Sequence, residues 1–355
     1  MSAELYVTRD ISPKKLLVLN YSMDETDRIF SHQQQIVAGL ASYWDEIHVI
    51  TGKVGTYKTP SNVYVYSSSW VPGKHFRNVL RFLGIFFRVT QKENFHAIFS
   101  HMTEVQSFLI APYCRIRRIK HFLWYAHASH SRYLKFVAFF ANKVITSTAG
   151  SCPITGSKVL AIGQSVNETQ FKFKNRKDSS LINFVHFGRL DKSKGIQDII
   201  DLCLMIRTEK FEPTLTLIGN PSNIENQKWS NNLKNKYASE SSWVKFVPGV
   251  NRNELPELIS KFDIMLHAFQ GSLDKTLVEA TMTGIPVATI NREYLKEFGS
   301  WDTEQKPISL EKELRAILDL DFDRLKSGLE IRRALAVKNH SFDAWIVKLN
   351  KVLLG

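Results

Sequence analysis

Two short stretches hold residues whose types and spacing could do chemistry. In LINFVHFGRLDKSKGI, Leu181–Ile196, an apolar run ends at Gly188, and Arg189 and Lys194 follow five residues apart, just before a helical pattern begins at Ile196. In GSLDKTLVE, Gly271–Glu279, the run DIMLHAF ends near Gly271 and Ser272, and Lys275 and Glu279 follow as a second helical pattern opens. Amide N–H groups at a helix start, flanked by cations, make a phosphate site. A lysine at a helix start is mildly disfavoured by the macrodipole, and an anionic ligand reverses the sign of that argument. Glu279, one turn into its helix, is placed to accept two hydroxyl hydrogen bonds from a sugar or ribose. Its bland alternative is a surface carboxylate that complements the dipole.

Histidines supply the remaining candidates. His127 follows the apolar strand HFLWY, at the carboxyl end where ligands bind parallel sheets. His130 lies three residues later, but no third ligand has plausible spacing, so no metal site is expected. His32 opens the first helix, His101 follows the strand HAIFS, and Asp24 lies in the loop after the first strand. Asp319, Asp321 and Asp323 alternate between two helical patterns and read as a solvated loop. The chain has no Walker A motif, no GxGxxG and no GxSxG elbow, and no cysteine stands in a nucleophile motif.

These residues need a scaffold that brings strand ends together. The 355 residues suit two domains, and the 44% apolar fraction can fill two cores. Strands are predicted at 15–21, 46–51, 63–66, 97–100, 121–125, 143–147 and 159–162, and again at 181–187, 214–218, 244–247, 263–268 and 286–290. Helical patterns alternate with most of them, including 30–43, 196–209, 226–239, 252–262 and 276–283. That rhythm predicts parallel α/β sheets. Residues 164–178, rich in Lys, Asn and Gln, read as a linker, which sets a boundary near residue 170.

Charge divides the chain unevenly. Residues 1–177 hold 23 Lys and Arg against 10 Asp and Glu, whereas residues 178–355 hold 24 of each. The basic half is expected to meet something anionic. Within it, 74–90, KHFRNVLRFLGIFFRVT, reads as a helix with Lys74, Arg77, Arg81 and Arg88 on one face and Phe, Leu and Val over the rest, a layout that suits a membrane interface. An ordinary core helix with a solvated basic edge is the alternative. Arg115, Arg117 and Arg118 form a second basic cluster. The aromatics are not laid out as a stacking platform, so nucleic acid is not the expected partner. Three widely spaced cysteines suit a reducing compartment. MSAELYVTRDISPKK has no apolar h-region, and no uncharged apolar run is long enough to span a bilayer.

Taken together, HFGRLDKSKGI followed by SLDKTLVEATMTGIPVAT resembles the retaining glycosyltransferases of family 4. The order FLWYAH, VITST, KVLAIGQSVN, FVHFGRL, LTLIGNP and FVPGVNRNELPELISKFDIMLHAF supports the resemblance across most of residues 15–345, more specifically in the second half. It implies a GT-B fold, two Rossmann-like parallel-sheet domains facing across a cleft. On that basis 1–170 is an acceptor-binding domain, 171–338 a nucleotide-sugar donor domain, and 339–355 a helix crossing back to the first. The resemblance assigns catalytic roles to Arg189, Lys194 and His127, the first two on the donor diphosphate. It assigns donor binding to Gly188, Gly219, Gly271, Ser272, Leu273, Asp274, Lys275, Thr276, Leu277 and Glu279, with Glu279 on the ribose. His32, His101 and Asp24 become acceptor-side candidates. The donor would be a UDP-, GDP- or ADP-sugar, with no metal or other cofactor. The acceptor would be a glycan or lipid-linked molecule at the cytoplasmic membrane face.

Three positions depart from the pattern. Gly271 stands where the family often has a sugar-contacting Glu, SMDETDRIFSH lacks the usual glycine pair, and Gly163-Gln164-Ser165 lacks the usual His. The departures keep two alternatives in play: a transferase on a soluble or protein acceptor, and a nucleotide-sugar-binding homologue without turnover.

Overall fold

The computed structural model describes residues 13–27, 30–175, 181–303 and 308–355. The expected absence of a leader, the end of the first loop at Arg28 and the last part of the linker fall outside those residues.

The first unit comprises Met1–Tyr125, Ser131–Ile145 and Leu349–Gly355, and the second comprises Ala126–His130 and Thr146–Lys348. The first sheet starts from β1 (Lys15–Met23), followed by α1 (His32–Leu40), β2 (Glu46–Val54), β3 (Val63–Ser67) and α2 (His75–Lys92). Then come β4 (Ala97–His101), α3 (Glu104–Ile116), β5 (Lys120–Trp124), α4 (Leu134–Phe140), β6 (Lys143–Thr146) and β7 (Val159–Ala161). Their order is β3-β2-β1-β4-β5-β6-β7. Leu16, Leu17, Val18 and Leu19 of β1 are buried on both faces, as a central parallel strand requires. The Lys15 ammonium pins the start of β1 to its neighbours, 2.9 Å from Glu46 and 2.7 Å from Glu93.

The second sheet has five parallel strands in the order β10-β9-β8-β11-β12. Its elements are β8 (Asn183–Phe187), α5 (Ile196–Ile206), β9 (Thr214–Ile218), α6 (Ile224–Lys236), β10 (Val244–Val247), α7 (Leu255–Ile259) and β11 (Ile264–His267). They continue with α8 (Lys275–Thr283), β12 (Val287–Thr289), α9 (Arg292–Phe298), α10 (Leu310–Leu318), α11 (Phe322–His340) and α12 (Phe342–Leu354). Helices α5 and α10 pack Ile196, Ile199, Ile200, Leu314 and Ile317 onto one sheet face, while Leu277, Val278 and Met282 of α8 join the core on the other. In this order β8 lies between β9 and β11, so the strand order reverses at β8. Such a switch point opens a crevice at the carboxyl ends of the strands.

Two expectations change here. The aspartates 319, 321 and 323 are not simply a solvated loop, because Asp321 caps α11 by accepting a bond from the Arg324 amide. Helix α2 keeps Lys74, Arg77, Arg81 and Arg88 exposed, with Lys74 just before its first residue, but its buried stripe is narrow: Asn78, Phe82, Phe86, Val89 and Thr90. Phe76, Leu80 and Phe87 therefore face solvent among the arginines.

Candidate functional site

Backbone geometry at the switch point is set by two glycines. Gly188 ends β8 with φ 145° and Gly219 ends β9 with φ 154°, both where side-chain-bearing residues are strained. A Cβ on Gly219 would lie 1.7 Å from the Gly188 carbonyl oxygen. The two strand ends therefore touch backbone to backbone. A Cβ on Gly188 would lie 3.8 Å from the Thr276 methyl, which places the first turn of α8 beside the same point.

Lys194 does not sit in a helical first turn as expected. It ends a single 3-10 turn, Lys192–Lys194, and Gly195 in the left-handed region separates it from α5. The cause is crowding: a Cβ on Gly195 would lie 2.6 Å from that of Ala268. Lys194 is directed inward instead, only 5% exposed. Its ammonium pairs with Asp274 and lies 3.7 Å from the centroid of the Phe269 ring. Burial pulls the Lys194 pKa down, with the Asp274 charge opposing. Asp274 also accepts from His267 at 3.0 Å. Burial works against its ionisation, but His267 and Lys194 outweigh that and hold its carboxyl well below the usual range. His267 is fixed from its other nitrogen by Thr289 at 3.0 Å.

Because Asp274 is spent on Lys194 and His267, it does not cap α8 with its side chain. The amides of Lys275 and Thr276, at the start of this nine-residue helix, have no intrahelical acceptor. Leu277 and Leu273 of the expected donor set have their backbone amides engaged within the protein. The Leu277 amide is taken by the Asp274 carbonyl at 3.2 Å and its side chain is in the core. The Leu273 amide is taken by Ser151 Oγ at 2.9 Å, and its carbonyl accepts from Gln164 at 2.7 Å. Both residues shape the turn from within, and Gln164 makes its contact at the position where a His was expected. Ser272 is buried. Burial lowers the Lys275 pKa to about 7, Arg252 adds to the shift and Glu279 opposes it.

Glu279 is not a surface carboxylate. It is 1% exposed and ion-paired to Arg252, whose guanidinium also lies 5.6 Å from the Phe171 ring centroid. Arg189 stays largely solvated and leans 3.5 Å from Asp191. His127 keeps contact with solvent, yet the surrounding protein lowers its pKa. Arg189 and Lys194 lower it further and Asp274 opposes them, so His127 belongs electrostatically to the same cluster. Gly271 has a steric reason: a Cβ there would lie 2.1 Å from the Phe269 ring, so a glutamate would have to displace the ring that faces Lys194.

The residue most central to the turn escaped sequence reasoning. Asn291 is fully buried, and its amide donates to the carbonyls of Phe269, Gly271 and Ser272 at 2.9, 3.3 and 3.1 Å. Its oxygen accepts from the Tyr294 amide and caps α9, a helix not foreseen either.

The acceptor-side candidates all lie in the first unit. His32 and His101 meet edge to face with ring centroids 5.7 Å apart. Asp24 is engaged by Lys53 at 2.8 Å and by Thr26, which lower the pKa of its carboxyl to about 2. It ties its own loop to the end of β2.

Residues 167–300 match the family model described as Glycosyl transferases group 1. No curated protein matches the chain. Similar solved structures include HepE of Anabaena in complex with UDP, at 16% identity and TM-score 0.71 over 96% of this chain and 99% of that one. They also include sucrose-phosphate synthase of Thermosynechococcus elongatus, at 13% identity and TM-score 0.73 over 96% and 98%. WaaG, a glycosyltransferase involved in lipopolysaccharide biosynthesis, aligns at 15% identity and TM-score 0.65 over 96% and 100%.

Proposed function

We propose that this chain, which carries a glycosyl transferases group 1 region over residues 167–300 on a GT-B fold, moves a sugar from a nucleotide-diphosphate sugar to a glycan or lipid-linked acceptor. The observation that carries the reading is the cluster at the β8 switch point. Arg189, Lys194 and His127 share one electrostatic neighbourhood there, and the uncapped start of α8 lies against Gly188. Its chemistry suits a diphosphate leaving group. HepE was solved with UDP, which supports a nucleotide donor.

In this reading the bond from the anomeric carbon to the diphosphate breaks, and the acceptor oxygen forms its bond on the same face. The acceptor proton passes to the departing phosphate. Configuration is retained, and no carboxylate pair is needed. Negative charge grows on the diphosphate as the bond breaks, so the fixed cations and helix amides stabilise that state most. They supply the neutralisation a metal would otherwise provide. Glu279 and Arg252 flank the ribose end, and the first unit receives the acceptor.

The test is a donor screen with UDP-, GDP- and ADP-sugars, following nucleotide release with and without membrane extract. Release from none of them under either condition rejects the reading. Arg189→Ala should lower turnover by about 10–100-fold, below the usual loss for a buried transition-state donor because solvent screens this half-exposed cation. Unchanged turnover overturns the role of Arg189.

We place the protein on the cytoplasmic face of an anionic membrane. Support comes from α2, where Arg77, Arg81 and Arg88 alternate with solvent-facing Phe76, Leu80 and Phe87, and from exposed Arg115, Arg117 and Arg118. Among the described residues no helix is long and apolar enough to cross a membrane. Flotation should show binding to anionic vesicles that weakens with salt and with Phe76→Ser/Phe87→Ser. Equal and negligible binding to anionic and neutral vesicles rejects the placement.

A further inference from the structure

A cavity of about 970 Å³ lies in the second unit, lined by residues around the carboxyl ends of β11 and β12. Its polar lining includes Gln270, Arg292, Lys296 and Ser300, and Ile290 and Leu295 give it apolar wall. None of these belongs to the cluster described above.

The charges are unequal in a telling way. Lys296 is matched by Glu293 at 2.7 Å, and the other oxygen of Glu293 accepts from the Gly150 amide at 2.9 Å. Arg292 is exposed and makes no ion pair among the described residues. The two cations stand one helical turn apart on α9, so they share a face. The cavity therefore presents one uncompensated guanidinium, whose planar fork matches a carboxylate or phosphate. Its volume is that of a site for a whole small molecule, far larger than a bare ion needs. Apolar walls beside polar tips fit a saccharide, whose ring has a C–H face and hydroxyl edges.

The location ties the cavity to the donor turn. Gln270 lies in the segment 269–272 whose carbonyls Asn291 holds, and Ile290 and Arg292 flank Asn291 in sequence. We propose that this cavity binds an anionic saccharide group, carrying a carboxylate or phosphate, with Arg292 as the residue that selects it. The placement beside the transferred sugar rests on the donor reading above; the binding itself does not.

Two sources could present this chemistry: the sugar of the donor, or a sugar of the acceptor. Isothermal titration of the full chain, wild type and Arg292→Gln, separates them. One arm compares uronate forms of UDP- and GDP-sugars with their neutral forms. The other compares glucuronate and glucose 6-phosphate with glucose. An anionic preference of about tenfold among the nucleotide sugars, abolished by Arg292→Gln, assigns the group to the donor. The same preference among the free sugars alone assigns it to the acceptor. Leu295→Trp, which narrows the cavity beside Arg292, should weaken either preference while nucleoside diphosphate binding stays unchanged. No anionic preference in either arm, or one that survives both substitutions, overturns the proposal. If no nucleotide binds at all, the donor reading fails and the free-sugar arm still decides the cavity.

Discussion

Lys194→Met is expected to abolish nearly all sugar transfer, by about 100–1,000-fold in kcat, and to weaken the fold as well. The first effect follows from placement. Lys194 is buried, unlike Arg189, so its charge acts on a diphosphate through little solvent and is worth the full amount of a preorganised donor. The second follows from Asp274, which would keep its charge inside the protein with only His267 to answer it. Breaking a buried pair from one side costs about 3–5 kcal/mol, and the 22% exposure of the Asp274 side chain reduces this to about 2–4. A second substitution separates the two effects. Lys194→Met/Asp274→Asn removes the orphaned charge and should regain most of the lost stability in urea denaturation, yet transfer should stay lost. Recovery of transfer in the double variant would mean that Lys194 matters only as the partner of Asp274.

The next largest effect is expected at Asn291, a buried residue that holds the 269–272 turn from behind. Asn291→Ala removes the amide whose two hydrogens are shared among three carbonyls of the turn, one of them in a fully buried contact, together with the cap of α9. Unsatisfied buried acceptors and a lost cap sum to about 3–5 kcal/mol, so the thermal midpoint should fall by roughly 10 °C. Donor affinity should fall with it, because the segment 269–272 leads directly into the amides at the start of α8. Asn291→Asp keeps the cap acceptor and loses the amide donors. It should be as damaging as the alanine variant if the clamp carries the effect, and mild if the cap does. A midpoint shift under 2 °C for Asn291→Ala would show that the turn holds itself.

Arg189, Lys194 and the Gly271–Glu279 turn were visible from the sequence because each is local: an apolar strand, a glycine and charged residues within ten positions. Helix α5 was legible for the same reason, through clear periodicity over eleven residues. What stayed hidden depends on distant partners. Asp274 meets Lys194 eighty residues away, Arg252 meets Glu279, and Asn291 reaches back twenty-two residues to Phe269. No spacing rule marks such pairs. Seven-residue α9 is too short for its period to stand out, and its cap was the better signal. On α2 the helical period was right, but sequence cannot say how wide a stripe the sheet will cover. The core buried Asn78, Phe82, Phe86, Val89 and Thr90, took Leu83 and Ile85 in part, and left three large apolar residues outside.

Lys275 has a consequence for how the empty protein behaves near neutral pH. With its pKa lowered to about 7 by burial and by Arg252, it is only partly charged in that range. The unfolded chain would hold that proton up to about pH 10.5, so between pH 7 and 10.5 this group makes the fold more stable as pH rises. A diphosphate arriving at α8 reverses the balance and draws the proton back. On the proposed donor reading the proton is then a co-ligand, expected to be taken up with the nucleotide at pH 8 and already present at pH 5.5. Calorimetry in buffers of different ionisation enthalpy should report uptake approaching one proton at pH 8, little at pH 5.5, and none at either pH for Lys275→Met. Without its ligand the pocket carries less positive charge than its residue list implies, which lowers its affinity for the inorganic phosphate and other small anions around it.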